Sequence, residues 1–329
     1  MKPGVCLGID VSKNFIDCCL YDGKNFNYKR FNENSQKVVG KVVRHFNIKA
    51  GSCLVVMEST GIYHTKIEKA FNNRNFITVV ENPLVVKAFA AMIKTKAKTD
   101  AFDSKVLARY GFEREPDPGF SKTDFQMELR AILNLIHGYQ KDVTRMSNRL
   151  EALKNGCIKF DVLIRNLQDK IIILKNDIKL LKKLLCQVAK ANRERLYELY
   201  TSIPGVGEML AATIIAVYDD FSKFENAKKA SSYAGLCPDV FISGTSVKKK
   251  PKITKKGNRI ARKALFMSSL SASVHNSACK RLYQRLLEKG KKGRIALIAV
   301  SNKLLKQAFA LAKSGKIFDP NYEKKLNFV

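Results

Sequence analysis

The pattern of apolar and polar positions changes about a third of the way along the chain. Residues 4–11 (GVCLGIDV), 15–22 (FIDCCLYD) and 26–31 (FNYKRF) have the length and composition of strands. Asp22-Gly23 supplies a hairpin signal between the second and third. A helix is predicted at 35–46, then a buried strand in CLVVMES (53–59), whose apolar run is too short for a lone helix. GIYHTKIEKAFNNR (61–74) reads as a helix and FITVV (76–80) as a strand. PLVVKAFAAMI (83–93) is a helix opened by Pro83, and KTDAFDSKVLARY (98–110) is a further helix. Three meandering strands followed by alternating helix and strand predict an α/β domain with a mixed sheet.

The pattern breaks at 113–124 (EREPDPGFSKTD), where two prolines and a glycine indicate a linker. From about 125 to 200, apolar residues recur at spacings of three and four between charges. Two long helices are predicted, interrupted near KNGCIKFD (154–161), as an antiparallel hairpin or coiled coil. Such an arm serves as a spacer or dimerisation element, and its exposed lysines also suit a phosphate backbone. A third region begins at TSIPGVGEMLAATIIAVY (201–218) and ends in a helix within KKGRIALIAVSNKLLKQAFALAKSG. The expected domains are thus an α/β domain at 1–118, a helical arm at 119–198 and a mostly α-helical domain at 199–329.

Charge narrows the function. The 329 residues carry a formal net charge of +31, too large an excess for an ordinary enzyme of small metabolites. A polyanion is the natural partner. No run of eighteen apolar residues and no signal-peptide core is present, so the sequence predicts neither a membrane span nor a membrane partner. The eight cysteines form no CxxC pair and are not flanked by histidines at zinc spacing; they read as buried free thiols in a reducing cytoplasm.

Four acids stand out in this basic chain. Asp10 lies inside an apolar strand, where an unpaired carboxylate is costly. Glu58 closes a buried strand, at the end where α/β sheets commonly place their sites. Asp100 and Asp103 are three apart at a helix start and share a face, although Asp100 alone could simply cap its helix. Neighbouring first and fourth strands would bring Asp10 and Glu58 together at their tips. A cluster of acids is held either by raised pKa values or by hard cations. Oxygen-only ligands favour Mg²⁺ or Mn²⁺, and two such ions about 4 Å apart suit phosphodiester chemistry.

The segments GIDVSK, MESTGIYH and KTDAFDSKVLA resemble the N-terminal motifs of the one-ten family of insertion-sequence recombinases, the Piv/MooV-like, bridge-RNA-guided group. The resemblance implies a RuvC-like domain of RNase H fold, with a metal-binding D-E-D-D tetrad at Asp10, Glu58, Asp100 and Asp103. It departs at Ser104, where the family often has alanine; this is expected to be a tolerated surface change. SIPGVGEMLAATIIA, FENAKKASSYAGLCPDVFISGTS and ITKKGNRIARKAL resemble the family's C-terminal transposase domain. That match implies a serine nucleophile before a glycine, at Ser243, in preference to Ser246. It also implies a structured noncoding guide RNA that selects donor and target duplex DNA. Recombining two duplexes implies a homo-oligomer, a dimer or tetramer, in the cytoplasm of a bacterium or archaeon, at the nucleoid.

No histidine lies within about twenty residues of Ser243 to activate it, so distant metal ligands would have to do so. Downstream, Lys248, Lys249, Lys250, Lys252, Lys255, Lys256, Arg259, Arg262 and Lys263 form a run with no acid, suited to phosphate binding. Gly205 and Gly207 fall in a turn resembling a helix-hairpin-helix, which binds backbone phosphate through N–H groups at a helix start. Two alternatives compete with transposition. A Holliday-junction-resolvase-like metal nuclease would use the four acids with water as nucleophile. A non-enzymatic nucleic-acid-binding protein would use neither the acids nor the serine.

Overall fold

The structure is a computed structural model. It describes residues 4–59, 61, 63–93, 100–117, 123–156, 161–239, 242–243, 247–248, 252–254 and 257–321. The chain divides into two compact units, Met1–Ser121 and Lys122–Val329.

The first unit is built on a five-stranded sheet of order β3-β2-β1-β4-β5. β1 (Val5–Val11), β2 (Ile16–Tyr21) and β3 (Phe26–Phe31) form the antiparallel meander read from the sequence. β4 (Cys53–Glu58) and β5 (Ile77–Glu81) add in parallel beyond β1. At the hairpin, Asp22 accepts the backbone N–H groups of Lys24 and Asn25, while Gly23 takes a positive φ of 94°. Among the described residues, four helices cover the sheet: α1 (Val38–Phe46), α2 (Thr65–Asn72), α3 (Pro83–Met92) and α4 (Asp100–Arg114). The alternation of strand side chains sorts them into two cores. Leu7, Ile9, Val11 and Ile16 pack with Val38, Val42, Ile67 and Phe71 of α1 and α2. Cys6, Val56 and Val79 pack with Val86, Phe89, Leu107 and Tyr110 of α3 and α4.

α4 approaches β1 closely because both surfaces carry glycine. A Cβ on Gly8 would lie 2.2 Å from the Ser104 carbonyl oxygen and 2.3 Å from the Ala108 nitrogen. One on Gly111 would lie 2.3 Å from Cys6 Sγ. No larger residue fits either place without moving the helix.

The second unit is mostly helical. α5 (Asp124–Asn155) and α6 (Asp161–Asn192) pack against each other. On α6 the buried Ile171, Ile178 and Leu185 recur every seven residues, the repeat of a helix–helix seam. The segment read as an arm also contributes to a larger core. Leu129, Ile132, Leu133, Leu185 and Ala189 join one cluster with α8 (Glu208–Tyr218), which is buried from Leu210 to Tyr218. α7 (Glu194–Thr201), α9 (Ala227–Tyr233), α10 (Arg259–His275), α11 (Ser277–Glu288) and α12 (Gly293–Ser314) complete the unit. Between α9 and α10 the described residues include four two-residue strands. β6 (Pro238–Asp239) pairs with β9 (Lys252–Ile253), and β7 (Ile242–Ser243) with β8 (Val247–Lys248).

By length and composition α12 is apolar enough to cross a membrane, which the sequence reading did not anticipate. Its Val300, Leu304, Leu305 and Ala308 lie in the core of the unit, and Ala296 is buried as well. The thiols fulfil expectation at Cys6, Cys18, Cys19, Cys53 and Cys279, all buried and free; Cys186 and Cys237 are half-buried, and Cys157 lies outside the described residues. Burial pushes the Cys53 thiol up to about 12, so it is inert near neutrality.

Candidate active site

The first unit gathers its acids by strand register. β1 and β4 run parallel with Ile9 beside Met57, so the next step sets Asp10 beside Glu58. Asp17 of β2 faces Asp10, and Glu81 of β5 faces Glu58. Strand alternation puts all four on the face of Cys6, Gly8 and Val56, the face that α4 covers. A row of carboxylates therefore crosses four adjacent strands.

The outer two members are held by partners within the fold. Asp17, fully buried, accepts hydrogen bonds from the Tyr28 hydroxyl and from Arg30, whose Nε and Nη2 each lie 2.9 Å away. Glu81 accepts the Tyr110 hydroxyl at 2.6 Å and the Asn82 N–H at 2.7 Å. The inner pair, Asp10 and Glu58, is half-buried, as is Asp103 on α4. Burial first, and the charge of Asp103 second, raise the Glu58 carboxyl above its ordinary range. Asp10 and Glu58 thus meet at the ends of neighbouring strands, as expected if the first and fourth strands pair, and α4 brings Asp103 to the same end of the sheet.

Asp100 begins α4, and its side chain lies outside the described residues. Among the described residues, no three His, Cys, Asp or Glu side chains stand close enough to hold a metal ion. The chemistry of the donors still fits a hard divalent cation: all are carboxylates, and Glu58 is penalised for its charge in a way that a cation would relieve.

Ser104 corrects one expectation. It is fully buried rather than a surface position; its Oγ donates to the Ala101 carbonyl at 3.1 Å, and its own carbonyl abuts Gly8. Sequence reasoning also missed Asp17, Glu81 and Tyr110. A signal was present for Glu81, since TVVE closes its strand as VVME closes the one before.

In the second unit, Ser243 pairs with Val247 at the end of β7. The side chains of Ser243, Lys248 and Lys252 lie outside the described residues, as do Ser246, Lys249, Lys250, Lys255 and Lys256 altogether. Arg259 and Lys263 are exposed on the first turns of α10. Arg262 is half-buried and donates to the Ala234 carbonyl at 2.8 Å, holding the end of α9. Gly205, with φ +92°, is set by packing: a Cβ there would lie 2.5 Å from Ala272 Cα of α10. The Pro204 carbonyl beside it accepts a hydrogen bond from Asn276. Gly207 is open at the start of α8, but Glu208 follows in the first turn and offsets the positive end of that helix.

The mixed sheet that carries these acids lies within a DEDD transposase domain of the RNase H-like class. Residues 7–157 match the transposase model for the DEDD domain of the IS110 type, and residues 197–284 match the model described as Transposase IS116/IS110/IS902 family. The pilin gene-inverting protein of Moraxella lacunata is 30% identical over 322 residues, covering 95% of this chain and 97% of the relative. The pilin gene-inverting protein of Moraxella bovis is 29% identical over 320 residues, with the same coverages of 95% and 97%. An insertion element IS110 protein of Streptomyces coelicolor is 31% identical over 124 residues, covering 38% of this chain and 30% of that one. The chain belongs to the IS110/IS116/IS902 transposase family, and its activity is cleavage and rejoining of DNA.

Proposed function

We propose that this transposase recombines DNA through a serine–phosphate linkage, with metal-binding carboxylates in one unit and the nucleophile in the other. The observation that carries the reading is the convergence of Asp10, Glu58 and Asp103 at one end of the sheet, where burial and then the Asp103 charge raise the Glu58 carboxyl. Asp10, Glu58, Asp100 and Asp103 would hold Mg²⁺ or Mn²⁺. When bound, such ions stabilise charge on the oxygens of a phosphodiester and favour a deprotonated nucleophile. The Ser243 hydroxyl attacks phosphorus, a P–Oγ bond forms, and a DNA hydroxyl leaves. A hydroxyl of the exchanged strand then attacks the same phosphorus and releases the serine. One ester replaces another at each step, so rejoining needs no nucleotide cofactor.

The inversion named for the Moraxella relatives, which this chain matches over nearly its whole length, supports a conservative cut-and-rejoin reaction. In this reading the acting species is a dimer or tetramer that holds donor and target duplexes, and a structured RNA encoded beside the gene selects both. α5 and α6 would act as a coiled-coil arm between protomers.

The test is to trap protein–DNA adducts on end-labelled duplex carrying the element's junction. Wild-type protein with Mg²⁺ should form a covalent adduct; Ser243→Ala, Asp10→Asn and chelation should each abolish it. Cleavage that persists in Ser243→Ala without an adduct would instead indicate water as nucleophile. Sequencing the RNA that co-purifies with the protein tests guidance, and only heterogeneous RNA would refute it.

A further inference from the structure

The second unit gathers cations on two of its helices. One face of α5 carries His137, Lys141, Arg145 and Arg149, and the start of α10 adds Arg259 and Lys263. Together they line an open groove of about 600 Å³. The spacing of four residues sets Lys141, Arg145 and Arg149 in one line, with an axial rise of about 6 Å from each to the next. All three are exposed. The two walls are tied together, since Lys263 Nζ donates to Gln140 Oε1 at 3.0 Å. No carboxylate lines the groove among the described residues. The nearest compensation is Asp142, which pairs with Arg145 at 2.6 Å from beside the groove.

An array of this kind is self-repelling unless an anion covers it. The floor of the groove registers the field. His137 Nε2 is enclosed without a hydrogen-bond partner among the described residues. Burial, and then Lys141, Lys263 and Arg259, hold that imidazole below its ordinary pKa. The lining includes no Phe, Tyr or Trp on which unstacked bases could lie, which disfavours a single strand. Arginine and lysine in a row without base-stacking partners match a regular double-helical backbone.

We propose that the groove between α5 and the start of α10 is a docking track for the phosphate backbone of duplex DNA, gripping it without reading sequence. The inference rests on the transposase reading and extends it by assigning a surface to the DNA. It also gives the long helix α5 a function in DNA binding besides its part in the core.

The experiment measures binding of the full-length protein to three probes as salt is varied. They are a duplex bearing the element's junction, a scrambled DNA duplex of equal length, and an RNA duplex of the junction sequence. Removing one phosphate-binding cation should reduce the slope of log affinity against log salt by about 1. The triple variant Lys141→Gln, Arg145→Gln, Arg149→Gln should therefore take about three from the slope on both DNA duplexes. Arg145→Lys should keep the slope. Lys280→Gln with Lys289→Gln, both exposed, on α11 and just after it, should also leave the slope unchanged. A wild-type slope for the triple variant on DNA overturns the proposal. So does a reduced slope confined to the RNA duplex, which would give the groove to RNA. Wild-type protein that binds DNA with this dependence, yet forms no covalent adduct and never rejoins strands, would refute the recombination reading while leaving the groove assignment standing.

Discussion

The two units of this chain position chemistry in opposite ways. In the first, the acids are fixed by sheet register: one strand pairing sets Asp10 beside Glu58, and a helix seated on a glycine brings up Asp103. In the second, the proposed nucleophile and DNA track lie on strands only two residues long and on helical faces, and most of the net positive charge is carried there. A register-built site responds to single atoms, because shifting a strand or helix moves every group at once. A charged surface responds in small increments, one phosphate at a time.

The sharpest break of that comparison is at the acids. Asp10→Asn or Glu58→Gln should lower strand cleavage by about 10³-fold or more, the scale of losing a group that stabilises transition-state charge. Filter binding to duplex DNA should remain near wild type, and parallel loss of binding would refute the division of labour. Next is Gly8→Ala, whose added methyl would meet the Ser104 carbonyl at 2.2 Å. Overpacking of this kind costs about 1–3 kcal/mol, read as a fall in thermal midpoint, with cleavage reduced as α4 is displaced.

A comparable loss is expected in the helical unit at Asp219. This residue holds φ +54° at the end of α8, accepts two hydrogen bonds from Arg193 at 2.8 and 3.0 Å, and its carbonyl accepts the Tyr200 hydroxyl at 2.6 Å. Asp219→Ala should destabilise by about 1–3 kcal/mol in denaturant titration, since the hydrogen bonds are charge-assisted but Arg193 is partly exposed. The smallest effect should come from Tyr110→Phe, which removes only the hydroxyl bonded to Glu81. A loss of about 1 kcal/mol with cleavage within a few-fold of wild type would mark Glu81 as structural. A collapse of cleavage would instead add Glu81 to the proposed working acids.

Much of the first unit was legible in the sequence because its signals are local. Alternation, the Asp22-Gly23 turn and Pro83 at a helix start gave the strands, the hairpin and α3 in order. Asp10, Glu58 and Asp103 stood out as candidates because acids in apolar strands or three apart on a helix face are costly without a purpose. The burial of Ser104 was not legible, since a small hydroxyl residue in a helix fits either environment until its neighbour is known to be glycine. The turn at Gly205 looked like a phosphate-binding element, yet its glycine is set by the approach of α10, a contact between residues far apart in the chain.

By itself the sequence determined the kinds of element, the excess of cations and the positions of the motif acids, because periodicity and charge are properties of short stretches. Only the tertiary structure decided that Asp17 and Glu81 extend the acidic row and are engaged by Arg30 and Tyr110. It alone decided that a face of α5 meets the start of α10 in a cationic groove. These features depend on pairing and packing between residues distant in sequence, and no local pattern encodes which distant partner a side chain will meet.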